Sequence, residues 1–180
     1  MQFDFHSTRS ILVQRGGSTQ LAKMTQEHGA NKVLIVTDPG VLSAGLLEKA
    51  LPQFKELGIP VHIFSDVQAD PPVVVIERAV EVAQEYQADC VIGFGGGSSM
   101  DVAKLVALLC LGKEKLADIY GIGNAKGPRL PLILVPTTAG TGSEATKSSV
   151  VTVSESEKKG VLSPHLLPDV ALLDAELTLG

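Results

Sequence analysis

The chain has 180 residues, 44% hydrophobic and 19% charged, with a formal net charge of −5. A chain of this size buries roughly 70% of its unfolded surface, enough for one core, so one domain over residues 1–180 is expected. Lys and Arg are scattered, which argues against a nucleic-acid surface, since that needs a basic patch; no run approaches the ~18 apolar residues of a membrane span. The opening Met1-Gln2-Phe3-Asp4-Phe5 lacks the basic start and apolar stretch of a secretory signal. Cys90 and Cys110 sit in apolar runs and read as buried free thiols, so a reducing cytoplasm is the expected setting.

In chain order, Phe3 to Arg15 reads as one or two β-strands ending at Gly16-Gly17. Ser18 or Thr19 is placed to cap a helix that stops at Gly29. Val33-Leu34-Ile35-Val36 is a short β-branched run of the kind buried on both faces of a sheet. Leu42, Leu46, Leu47, Leu51, Phe54 and Leu57 recur at helical spacing and predict one helix over 41–57, ended by Gly58-Ile59-Pro60. Val61 to Phe64 is the next strand, and Pro71-Pro72 opens a helix striped by Val73, Ile76, Val80 and Ala83. Cys90-Val91-Ile92 is a strand running into a glycine loop, and the helix that follows, Ser98 to Cys110, has few polar positions and is expected to be buried. Leu132 to Val135 is another strand. This alternation predicts a Rossmann-like α/β fold, a parallel sheet with helices on both faces. Val150 to Val153 and Gly160 to Leu162 read as a small β-hairpin around the charged turn Glu155 to Lys159, and Asp169 to Asp174 as a final strand.

The strongest chemical signal is Gly93-Phe94-Gly95-Gly96-Gly97-Ser98-Ser99-Met100-Asp101. It follows a buried strand and opens a helix, where glycines admit a close phosphate and the helix start offers free N–H groups. Ser98 adds a hydroxyl donor or a cap, and Asp101 is expected in the first turn, where it compensates the dipole. Alone, the loop says anion and no more. In the usual dinucleotide fold the glycine fingerprint comes first and an acidic residue ~20 positions later. Here the order is inverted, with Asp38 at the end of the early strand. A carboxylate there accepts bonds from a ribose diol and repels a 2′-phosphate, favouring NAD over NADP; it reads equally as a helix cap or turn residue. From Val135 to Glu144 a strand runs into small and hydroxylated residues, with Thr137, Thr138, Thr141 and Ser143 able to bond phosphate or an amide.

Thr37-Asp38-Pro39-Gly40, Gly95 through Lys104, Pro136 through Glu144 and Pro168 through Asp174, in this order and spacing, resemble the iron-containing (group III) alcohol dehydrogenases. The resemblance implies an NAD(P)-dependent oxidoreductase acting on small alcohols and aldehydes; the face meant to meet the family's second domain is expected to be exposed and partly apolar, which predicts a homodimer or higher oligomer. By matching positions, Asp38 would meet the adenosine ribose, Gly95, Gly96, Gly97 and Ser98 the pyrophosphate, and Thr137, Thr138 and Thr141 the diphosphate and nicotinamide side. Asp101 would border the nicotinamide pocket, Lys159 would contact a cofactor ribose, and Asp70 falls near the adenosine. The family's Fe2+ or other divalent metal is held by an aspartate and three histidines on a helical domain expected beyond Gly180. His6, His28, His62 and His165 do not match that set, so no catalytic or metal-binding residue is expected in this chain. The expectation is therefore a chain that binds NAD and does not turn over alcohol. A stand-alone nucleotide-binding module, and a glycerol dehydrogenase or maleylacetate reductase relative, are the alternatives.

Overall fold

The computed structural model describes residues 6–179; Phe3 to Phe5 of the expected first strand, and the Met1 to Phe5 segment read for a signal, lie outside them. Nine strands and five α-helices follow one another among the described residues. They are β1 (Ser10–Val13), α1 (Leu21–Glu27), β2 (Val33–Val36), α2 (Pro39–Ser43), α3 (Leu51–Glu56), β3 (Val61–Phe64), α4 (Val73–Tyr86), β4 (Cys90–Gly95), α5 (Gly97–Leu109), β5 (Gly121–Ile122), β6 (Leu132–Pro136), β7 (Ser148–Ser154), β8 (Glu157–Leu162) and β9 (Val170–Leu173). Six strands form one sheet in the order β1-β9-β6-β4-β2-β3, and every pairing in it is parallel. A smaller sheet joins the antiparallel hairpin β7–β8 to β5.

The apolar runs of the central strands divide residue by residue between two cores, because successive side chains point to opposite faces. Leu34, Val36, Val91, Leu132 and Leu134 face one core with α4, α5 and the hairpin residues Val151 and Val161. Val33, Ile35, Cys90, Ile92, Ile133 and Val135 face the other with Leu21, Val41, Leu47 and Phe54. α5 comes close to β4 because Gly93 has no side chain: a Cβ there would lie 2.7 Å from both Ala103 Cβ and Leu134 Cδ2. Burial pushes the Cys90 thiol up to about 12, so it is an inert core group.

Three local expectations change. The single helix over 41–57 is two short helices, α2 and α3, separated by turns. Gly45 adopts φ +68, which ends the first, and Pro52 in the opening turn suits a fresh start. The helix expected after Ser18 begins as a 3-10 turn, Gly17–Gln20, with no side-chain cap from Ser18 or Thr19. Its free N–H groups are taken from across the sheet by Asp174, which accepts from Gly16 N at 2.8 Å and Ser18 N at 3.0 Å. Burial raises the Asp174 carboxyl, but donation from Ser18, Gly16 and Glu176 outweighs it and holds the group below the usual carboxylate range. Asp101 is the fifth residue of α5, outside the first turn, where there is no acid.

Candidate functional site

After β2 the chain moves out to β3 at the sheet edge, then returns to place β4 on the other side of β2. The connections leaving β2 and β4 therefore diverge to opposite faces, and the carboxyl ends of those two strands leave a crevice. Asp38 stands at one wall and the glycine corner at the other.

They are joined directly. Asp38 Oδ1 caps α2, accepting from Val41 N at 3.0 Å. Its Oδ2 accepts from Ser99 Oγ, also at 3.0 Å, across 61 residues of sequence. Asp38 is therefore a helix cap, as one of its two readings had it, and its carboxylate also borders the crevice. Each carboxylate oxygen accepts more than one bond, so capacity remains.

The three glycines do different work. Gly95 has φ +153, and a Cβ there would lie 2.7 Å from Ser99 Oγ and 3.0 Å from Asp38 Oδ2; only glycine lets β4 end against that pair. A Cβ on Gly97 would lie 3.1 Å from Thr141 Cγ2, so the threonine loop packs on the helix start. Gly96 is the N-cap of α5 and makes no side-chain cap bond, and a Cβ there would meet only Thr138, at 3.6 Å. The opening of this 13-residue helix is thus uncapped, with room at Gly96. Its first N–H groups point outward with the positive end of the dipole, the local chemistry of an anion site. Ser98 lies in that turn, half-buried.

Thr137 N donates to Gly95 O at 3.0 Å and locks the base of the threonine loop to β4. Thr138 and Thr141 are exposed beside the glycines. A cavity of about 310 Å³ opens next to them, lined by Pro136, Thr138, Gly140 and Glu144 and, from the far strands, Val13 and Leu173. One buried hydroxyl at the crevice, Thr37 Oγ1, has no partner.

Three sequence candidates stand outside this corner. Asp101 Oδ1 accepts from Ser143 Oγ at 2.6 Å, at the end of the threonine loop, and its Oδ2 from Val150 N of the hairpin at 3.0 Å. Lys159 lies on β8 with its ammonium 5.5 Å from the centre of the Tyr120 ring and 3.6 Å from Glu157. Asp70 pairs with Lys158 at 2.6 Å. Sequence reading did not single out Ser99, the residue that bridges the two walls, nor Lys104; the signal for Lys104 was a lone cation in an apolar helix. Among the described residues no three His, Cys, Asp or Glu side chains are grouped to hold a metal ion. His6, His28 and His165 line a cleft at the opposite end of the sheet, and His62 packs against Tyr86.

The fold is a Rossmann-like α/β sheet with its open corner at the switch point. Residues 8–175 match the family profile "Iron-containing alcohol dehydrogenase". The chain is 39% identical over 166 residues to long-chain-alcohol dehydrogenase 1 of Geobacillus thermodenitrificans, covering 91% of this chain and 42% of that one. In structure it resembles 1,3-propanediol oxidoreductase, with a TM-score of 0.94 and 30% identity over 100% of this chain and 47% of that one. It also resembles sulfoacetaldehyde reductase from Bifidobacterium kashiwanohense in complex with NAD+, with a TM-score of 0.87 and 31% identity over 99% of this chain and 47% of that one. The chain belongs to the iron-containing alcohol dehydrogenase family, and it spans about half the length of the relatives it matches.

Proposed function

We propose that the chain is the dinucleotide-binding half of an NAD-dependent, metal-dependent alcohol dehydrogenase, folded as a single domain over residues 1–180. The observation that carries this reading is the convergence of the Asp38 carboxylate and the uncapped start of α5 on one corner, bridged by Ser99. When bound, NAD+ would supply the acceptor for the hydride of an alcohol in the whole enzyme.

What this chain contributes is binding and orientation. The free N–H groups after Gly96, with Gly95, Gly97 and Ser98, receive the pyrophosphate, where helix dipole and hydrogen bonds act together on an anion. Thr138 and Thr141 close over it from the other side, and Thr137 holds their loop to β4. Asp38 accepts from the adenosine ribose hydroxyls. A 2′-phosphate in the same place would meet the carboxylate charge, which selects NAD over NADP. Asp101, with both oxygens turned to Ser143 and Val150, shapes the wall toward the nicotinamide. The family resemblance supports Lys159 as a cofactor contact. Among the described residues no side-chain group fits the family's metal, and the chain alone binds NAD and does not oxidise alcohol. The resemblance also supports a small alcohol or aldehyde substrate and a cytoplasmic setting; a homodimer or higher oligomer is expected from the apolar face that the family's second domain would cover. No helix among the described residues is long and apolar enough to cross a membrane.

The test is calorimetric titration of the 180-residue chain with NAD and with NADP. Saturable NAD binding, with NADP weaker, is expected. Absence of binding for both sinks the reading, and NADH formation on adding an alcohol sinks its claim that catalysis needs more than this chain.

A further inference from the structure

α5 carries a single lysine, Lys104, and its side chain is 0% exposed. Its Nζ donates to Ser143 Oγ at 2.8 Å, Ser148 O at 2.8 Å and Thr146 Oγ1 at 3.3 Å. An ammonium has three protons, and all three are engaged within the protein. Asp101 stands one turn earlier, 3.5 Å from the same Nζ. Ser143 is the hinge of the cluster: its Oγ accepts from Lys104 and donates to Asp101 at 2.6 Å. Burial lowers the Lys104 pKa, against the pull of Asp101. An apolar side chain would fill this position at less cost, so what the ion pair contributes is a defined geometry.

That geometry bears on the cofactor corner. Between Thr137, whose N–H is held by Gly95, and Ser143, none of the described loop residues hydrogen-bonds to another element. Gly140 and Gly142 both have positive φ, and Thr138, Ala139, Gly140 and Thr141 are exposed. The loop that lays Thr138 and Thr141 against Gly96 and Gly97 is thus tied down only at its ends. Thr8 Oγ1 adds one bond beyond the far end, to Glu144 O at 3.2 Å.

We propose that Lys104 is a positioning residue for dinucleotide binding: with Asp101 it anchors Ser143 on α5 and so presets the threonine loop over the glycine corner before a ligand arrives. The proposal rests on the reading of that corner as a pyrophosphate site. Preorganisation of this kind raises affinity by removing the ordering cost from the binding step. It acts on the phosphates, which the loop covers, and leaves adenosine alone, since Asp38 stands on the opposite wall, at the start of α2.

The test compares wild type, Lys104→Met and a core control, Ile76→Ala, which loses stability on α4 away from the loop. NAD, ADP and adenosine are titrated against each, and amide hydrogen exchange of residues 138–142 is followed in the free proteins. Lys104→Met is expected to weaken NAD and ADP about tenfold, equivalent to about 1.4 kcal/mol. Adenosine should stay within about twofold, the corresponding small fraction of that energy. Loop exchange should speed up in Lys104→Met only. Unchanged NAD and ADP affinity in folded Lys104→Met overturns the proposal, as does a parallel loss for adenosine. If Lys104→Met does not fold, Ser143→Ala removes the hinge and leaves the ammonium two partners; the same pattern, smaller, is then expected, and its absence overturns the proposal. If wild type binds neither NAD nor ADP, the nucleotide reading has failed. Loop exchange then decides for Lys104, and equal rates in wild type and variant reject the anchor.

Discussion

The two ends of the large sheet carry clefts of opposite character. At the amino ends of β6 and β9 a cleft of about 590 Å³ is lined by Arg9, Arg129, Asp169 and three histidines. It is roomier than the cavity of about 310 Å³ beside the threonine loop, and richer in charge. Yet its charges are already engaged. Arg129 donates to the carbonyls of Leu130, His165 and Leu167 and to Asp169 Oδ2 at 2.6 Å. Asp169 also accepts from Leu132 N at 3.0 Å. That end is a clamp holding the strand starts together. At the carboxyl ends, the helix α5 starts without a cap and Thr137, Thr138 and Thr141 face a glycine corner. What marks an end for ligand binding is polar capacity left over after folding, and neither size nor charge count measures that.

Breaking the clamp tests this contrast most forcefully. Arg129 and Asp169 are nearly buried, and removing one strands the other. Asp169→Ala is expected to cost about 3 kcal/mol or more in urea unfolding, while the NAD affinity of the folded fraction stays unchanged. Gly95→Ala strikes the other end. Its φ is +153 and the new methyl would press on Ser99 and Asp38; a loss of about 2 kcal/mol in stability is expected, accompanied by collapse of NAD binding in the same calorimetric titration. A variant that loses stability and keeps NAD affinity would show that the corner is not the site.

Asp38→Gly sharpens the chemistry of the open end. NADP should gain on NAD by about tenfold, or about 1.4 kcal/mol, measured as the ratio of the two dissociation constants; an unmoved ratio leaves Asp38 as a cap for Val41 only. The smallest effect is on acid stability, and it involves both ends. Burial raises the Asp169 carboxyl, but Arg129 and Leu132 N outweigh it, and both Asp169 and Asp174 are held below the usual range. Their unfolded values lie near pH ~3.9, so the unfolded chain binds more protons as pH falls. Their contribution is complete above about pH 5 and disappears as pH drops through ~4 toward the folded values. Asp174→Asn should flatten the dependence of unfolding free energy on pH in that window; an unchanged slope would assign acid sensitivity elsewhere.

The contrast between the ends was only half legible in the sequence. Val33–Val36, Cys90–Ile92, Leu132–Val135 and Val170–Leu173 announce buried parallel strands because both faces demand apolar side chains. The glycine corner, the threonine run and Asp38 were visible because unusual local composition marked them, and the resemblance to a family ordered them. The split of 41–57 was hidden because helical spacing of leucines continues through Gly45, whose positive φ decides the matter. β5 is two residues long and carries no periodicity. Ser99 and Lys104 were missed for a common reason. Their partners lie about 40 to 60 positions away in sequence, and no local pattern reports a bond closed by the whole topology.

β1 has a consequence for how the chain comes into being. Among the described residues its only partner in the sheet is β9, with Ser10 against Val170 and Val13 against Leu173. During synthesis Ser10–Val13 emerges first among the described strands and must wait for Val170–Leu173 before it can pair. Closing so long a loop costs entropy with no earlier local contact to offset it. Throughout that interval Ile11 and Val13, still 50% and 75% exposed in the finished fold, stand on an unpaired edge. The vulnerable species in the life of this protein is the nascent chain that has made β6 and not yet β9, the stage at which holding chaperones or slow translation would matter most.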